Sequence, residues 1–133
     1  MKKLKLEELG RISVDEFKES EKIPICILLD NVRSLHNVGS AFRTADAFCV
    51  SKIFLTGITG SPPHREIQKT ALGATESVAW EHVENPAEAV RKLKAEDYKI
   101  VIISKLLIAC RSKLSLPNPI KNIVWFSVTK CMV

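Results

Sequence analysis

Asn37, Gly39 and Arg43 stand in an Asn-x-Gly-x-x-x-Arg pattern inside the stretch LDNVRSLHNVGSAFRTADAF, Leu29 to Phe48. An arginine offers a fixed positive charge with a planar fork of donors. A helix start offers free backbone N–H groups, and together they suit a phosphate or nucleotide. Asn37 is expected to cap the helix that follows, and Gly39 to leave its first turn bare. Arg43, one turn beyond Gly39 on the same face, would then reach back over an unobstructed surface. Arginine stays protonated at ordinary pH, so its expected work is to hold an anion in place rather than to act as a free base.

These residues need a strand to deliver them and a helix to carry them. Ile25 to Leu29 is a continuous apolar run of the kind buried on both faces of a parallel sheet, and Asp30 ends it. The loop to Asn37 lies at its carboxyl end, where open α/β sheets bind ligands. A helix is expected from Val38 to Phe48, with Val38, Ala41, Phe42, Ala45 and Phe48 on its core face and Arg43 with Asp46 elsewhere. Ser13 and Glu16 form a capping box before a short charged helix. Further strands are expected at Lys52 to Thr56, at SVAW ending on Trp80, and at Lys99 to Ile103. GITGSPPHRE reads as loop, IQKTALGATESV as a short helix broken at Gly73, and Asn85-Pro86 opens a helix to about Asp97. Strands alternating with helices predict an α/β fold with a parallel sheet flanked by helices.

The chain has 133 residues and a formal net charge of +5. Residues 1–100 hold 15 Lys+Arg and 15 Asp+Glu, whereas residues 101–133 hold 5 Lys+Arg, no acid and no glycine. The positive excess is therefore confined to a tail rich in Ile, Leu, Val and Ser, unlike a dense basic RNA-binding arm. Cys26, Cys49, Cys110 and Cys131 lack metal-ligand spacing and read as reduced structural thiols. No uncharged run reaches membrane-spanning length, and the charged start MKKLKLEELGRISVDEF is unlike a signal peptide, so a cytoplasmic location is expected.

The motif LDNVRSLHNVGSAFRTADAF, followed by IFLTGIT and PPHREIQKTALGATESV, resembles the first half of a SpoU-type (TrmH-like) RNA 2′-O-methyltransferase. The likeness covers residues 1–100, which sets a domain of 1–100 against an atypical tail of 101–133. It implies the N-terminal half of an α/β-knot (SPOUT) domain, a homodimer, S-adenosylmethionine as methyl donor, and tRNA or rRNA as partner. It also implies that Arg43 activates the ribose 2′-hydroxyl with Asn37 as its motif partner. Asn31, Arg33, Gly39, Arg65 and Lys69 are the expected RNA or phosphate contacts, with solvated surface charge as the plainer reading of Arg33, Arg65 and Lys69. His36 and His64 stay outside the catalytic set, since the sequence shows no group to orient either.

Two motifs of that family, Phe-Gly-x-Glu-x-x-Gly and Ser-Leu-Asn-x-Ser, are absent, so no donor-binding residue is named. The genetic code suggests a reason. Read in a shifted frame, Trp125-Phe126 must encode valine and Met132-Val133 glycine, and the six triplets between permit VFGNEVYG overall. A frameshift near residue 101 is thus one expectation, and with it a chain that is truncated and inactive as a methyltransferase. Two other readings stay open: a non-enzymatic RNA-binding module that kept the substrate side, and a generic α/β domain in which Asn37 is only a cap and Arg43 only a surface charge.

Overall fold

The apolar run that begins this fold forms β1, Ile23–Asp30, at the centre of a five-stranded sheet. The structure is a computed structural model that describes residues 12–103 and, as backbone, 122–127. Around β1 stand α1 (Val14–Glu19), α2 (Leu35–Ala47), β2 (Val50–Thr56), α3 (Arg65–Ala71), α4 (Ala74–Ser77), β3 (Trp80–Val83), α5 (Pro86–Ala95), β4 (Lys99–Ile103) and β5 (Asn122–Ser127). The strand order is β3-β2-β1-β5-β4, and every neighbouring pair is parallel. The expected parallel α/β architecture is thus present.

Alternation along β1 and β2 builds two cores. Leu29, Ile53 and Leu55 pack with Val38, Phe42, Ala45 and Ile67 beneath α2 and α3. Cys26, Leu28 and Phe54 face the other way, toward Ala89 and Leu93 of α5. Side chains pointing to opposite faces at successive positions produce this division, and helices on both faces explain why β1 reads as continuously apolar. Phe42 and Trp80 meet edge to face with centroids 6.4 Å apart. Ser13 caps α1 as expected, with Glu16 returning its carboxylate to the Ser13 N–H at 2.7 Å.

Four boundaries differ from the sequence reading. The second helix starts at Leu35, because Ser34 accepts a hydrogen bond from the Asn37 N–H at 3.3 Å and so takes the cap expected of Asn37. Phe48, assigned to the core face, is instead the exposed C-cap residue. The third strand lies at Trp80–Val83 rather than at Ser77 to Trp80, because α4 continues to Ser77. The tail supplies a strand not foreseen: β5 lies between β1 and β4, with Asp30 opposite Ser127. Cys26 and Cys49 are not joined in a disulfide, while Cys110 and Cys131 lie outside the described residues.

Candidate functional site

At the carboxyl ends of β1 and β2 a polar knot replaces the apolar core. Asp30 is buried, and its Oδ1 accepts hydrogen bonds from the Thr56 hydroxyl and the Asn31 side-chain amide, both at 3.0 Å. The Thr59 hydroxyl donates to the Leu29 carbonyl and accepts from the Val32 N–H, both at 3.0 Å. Asn31 takes a left-handed φ of 53°, and its Oδ1 accepts from the Ile58 N–H at 3.3 Å. Gly57 has a φ of 60° beside it, and a Cβ there would stand 2.4 Å from that oxygen. Asn31, expected to contact RNA, therefore spends its side chain on bracing the β1–α2 loop against the β2–α3 loop. Thr59→Val keeps the shape but leaves the buried Val32 N–H without its acceptor, while the Leu29 carbonyl keeps the Thr56 hydroxyl; the change should cost about 2 kcal/mol in urea unfolding.

Gly39 is the second residue whose role changes. It is buried at the crossing of α2 and α3, where a Cβ would lie 2.0 Å from Thr70 Oγ1 and 2.4 Å from the Ile67 carbonyl oxygen. The bare surface expected above Gly39 is occupied by α3, so neither a phosphate nor the Arg43 side chain passes over it. Asn37 is exposed in the first turn of α2. It sits six residues before Arg43, about 120° around the helix at 3.6 residues per turn, so the two side chains leave α2 in different directions.

Arg43 is exposed and makes no hydrogen bond or ion pair with the described residues. It lines an open cavity of about 500 Å³ together with Phe17, Asp46, Leu72, Gly73 and Glu76. The nearest acid in sequence, Asp46, is tied instead to α4, accepting from the Ser77 hydroxyl at 2.5 Å. Arg33 and Arg65 are likewise exposed and without a partner among the described residues. Lys69 is not: its ammonium donates to Glu66 at 2.6 Å.

The residue that sequence reasoning passed over is His36. It lies on α2 and not in a loop, and its Nε2 meets Glu66 Oε2 of α3 at 3.0 Å. The Lys69 hydrogen bond, then the charges of Lys69 and His36, hold the Glu66 carboxyl below the usual carboxylate range. His36 and Glu66 are 30 positions apart, so only the helix crossing at Gly39 brings them together. His64 has a structural task, its Nδ1 accepting from the Glu66 N–H at 3.2 Å to cap α3. Among the described residues no group of His, Cys, Asp and Glu could hold a metal ion, and no helix is long and apolar enough to cross a membrane.

The chain is 30% identical over 89 residues to the 23S rRNA (guanosine-2′-O-)-methyltransferase RlmB of Vibrio parahaemolyticus, covering 67% of this chain and 36% of that protein. It is 33% identical over 89 residues to the RlmB of Neisseria meningitidis, covering 67% and 35%. The chain thus spans about a third of the length of these curated relatives. Among solved structures, the TrmH/SpoU tRNA modifying enzyme of A. aeolicus matches with a TM-score of 0.66 at 20% identity, covering 86% of this chain and 58% of that one. The AdoMet-bound rRNA methyltransferase of Sinorhizobium meliloti matches at 0.63 and 21%, covering 82% and 42%. Both share the fold. The profile of the SpoU rRNA Methylase family matches residues 24–124, and on that match the chain belongs to this family.

Proposed function

We propose that this chain carries the RNA side of an S-adenosylmethionine-dependent ribose 2′-O-methyltransferase acting on ribosomal or transfer RNA in the cytoplasm. The observation that supports this reading is Arg43, an exposed guanidinium with no partner among the described residues, on the helix that leaves the carboxyl end of β1. An arginine so placed holds a phosphate or ribose oxygen through its fork of donors and fixes the 2′-hydroxyl for attack. Arg33 and Arg65 add phosphate contacts that position the strand without reading its sequence. Asn37 acts on the RNA rather than on Arg43. A homodimer is the assembly expected on this reading, and sedimentation of the 133-residue chain tests it.

The described residues do not fit the methyl donor. The polar groups at the ends of β1 and β2, from Asp30, Asn31, Thr56 and Thr59, are hydrogen-bonded to one another or to backbone and leave no cradle. With the proposed out-of-frame reading beginning at Trp125, just beyond the family match to residue 124, the 133-residue chain is inactive as a methyltransferase, and calorimetry with S-adenosylmethionine shows no binding. Micromolar affinity would overturn that part of the proposal.

RNA binding tests the rest. Arg43→Ala should weaken binding of a labelled RNA hairpin about tenfold, the size of one lost charge-assisted contact, with an unchanged unfolding midpoint because the side chain is exposed. Equal affinity in the variant and the parent would favour a generic α/β domain instead.

A further inference from the structure

We infer that His36, oriented by Glu66, is a protonation-dependent phosphate contact beside Arg43. This inference rests on the RNA-binding reading above and adds a residue and a pH response to it. His36, Ser40 and Arg43 run along one exposed stripe of α2, since positions four and seven apart return to the same side of a helix. About 10.5 Å of helix axis separates His36 from Arg43, a spacing that two flexible side chains close onto neighbouring groups of one RNA strand.

The imidazole is held by Glu66, and the backbone that carries it by two hydroxyls. Its Nε2 meets Glu66 Oε2 at 3.0 Å, while the His36 carbonyl accepts from the Ser40 hydroxyl at 2.9 Å and the Thr70 hydroxyl at 3.1 Å. Its side chain is still 58% exposed, and Nδ1 makes no hydrogen bond with the described residues. Other charged or titratable groups near it are Lys69 on α3, His64 and Arg65 at the start of that helix, Arg33 just before α2, and Arg43.

The chemistry of the ring sets the sign of the response. With Nε2–H given to Glu66, the neutral ring presents only a lone pair at Nδ1, which repels a phosphate oxygen. Protonation converts Nδ1 into a donor and adds a positive charge, and both favour phosphate. Glu66 lies below the usual carboxylate range, so it stays ionised through the interval in which a histidine titrates. Its two oxygens serve two cations, His36 and Lys69, so Glu66 is offset and does not by itself expel an anion. A protonated imidazole in the first turn of α2 meets the positive end of the helix dipole, and no acid of that turn relieves it. A phosphate bound there does.

The test is affinity for the same RNA hairpin from pH 8.0 to 5.5 at constant ionic strength. The parent chain should bind about fivefold tighter at the lower pH, a gain matching one added phosphate contact. His36→Gln should bind equally at both, and His64→Gln should behave as the parent. Arg43→Ala should be weaker throughout yet keep the slope. A His36→Gln chain with the parent's slope would overturn the inference. Absence of RNA binding at every pH would instead defeat the functional reading. The inference is then read separately, from the His36 ring resonances with millimolar inorganic phosphate: they should move at pH 6 and not at pH 8, and no movement at pH 6 overturns it. Nitrogen shifts at pH 8 should show the Nε2–H tautomer in the parent and a mixture in Glu66→Ala, and a mixture in both would remove the orienting role of Glu66.

Discussion

Gly39→Ala is expected to destabilise the protein by about 3 kcal/mol, near the upper end of the cost of overpacking a core. The added methyl would sit 2.4 Å from the Ile67 carbonyl oxygen, a backbone atom, and 2.0 Å from Thr70 Oγ1. The hydroxyl could rotate away, but Thr70 then loses its hydrogen bonds to the carbonyls of His36 and Ile67. The carbonyl yields only if α3 lifts, which draws Ile67 and Ala71, both fully buried, off Val38 and Phe42. In urea the midpoint should fall while the slope stays the same, since the surface exposed on unfolding is unchanged. Gly73→Ala is the control: a Cβ there meets nothing within 4 Å, and only its φ of 90° opposes a side chain, at about 1 kcal/mol. A loss below about 1 kcal/mol for Gly39→Ala would mean that α3 is not seated on α2 as described. The loss matters for the site as well, because the same crossing holds Glu66 against His36.

The residues that sequence could interpret were those whose signal is local. The apolar run of β1, the Ser13 capping box, the Asn85-Pro86 helix start and the stop at Gly73 each depend on neighbours a few positions away, and each appears where expected. Ser34 and Asn37 are caps of similar strength, so pattern alone could not say which one opens α2. Gly39 shows a deeper limit. A missing side chain near a helix start suits a ligand or another helix equally well, and only the long-range placement of α3 decides between them. The same long-range contact makes His36 a positioned residue instead of a loop histidine. Asn31 sat in the right loop, but its left-handed backbone and its bond to the Ile58 N–H belong to a partner loop that sequence separation concealed. The strand at 122–127 was hidden differently: the absence of acid and glycine makes the whole tail atypical, and the short apolar run NIVWFS is lost among its other apolar residues.

The coding DNA of residues 125–133, translated in the shifted register, is expected to spell Val-Phe-Gly-x-Glu-x-x-Gly. A chain carrying that reading should bind S-adenosylmethionine with about micromolar affinity where the 133-residue chain shows none. The two outer positions are already fixed by the code, because Trp125-Phe126 forces valine and Met132-Val133 forces glycine. The fold adds a reason of place. β5 ends at Ser127, opposite Asp30 at the end of β1, and the shifted Phe-Gly would fall across residues 126–128. From β1 the chain adds β2 and β3 on one side and places β5 and β4 on the other, so the β1–β5 gap is where the direction of winding reverses. Crevices at such reversals, beyond the carboxyl ends of parallel strands, are where α/β sheets bind their ligands. A glycine there lets the backbone approach a ligand closely, and the glutamate of the shifted reading would restore negative charge to a stretch that has none in frame. DNA that spells another sequence ends this account of the tail, whereas the RNA contacts assigned to Arg43 and His36 stand on residues outside it and would be unaffected.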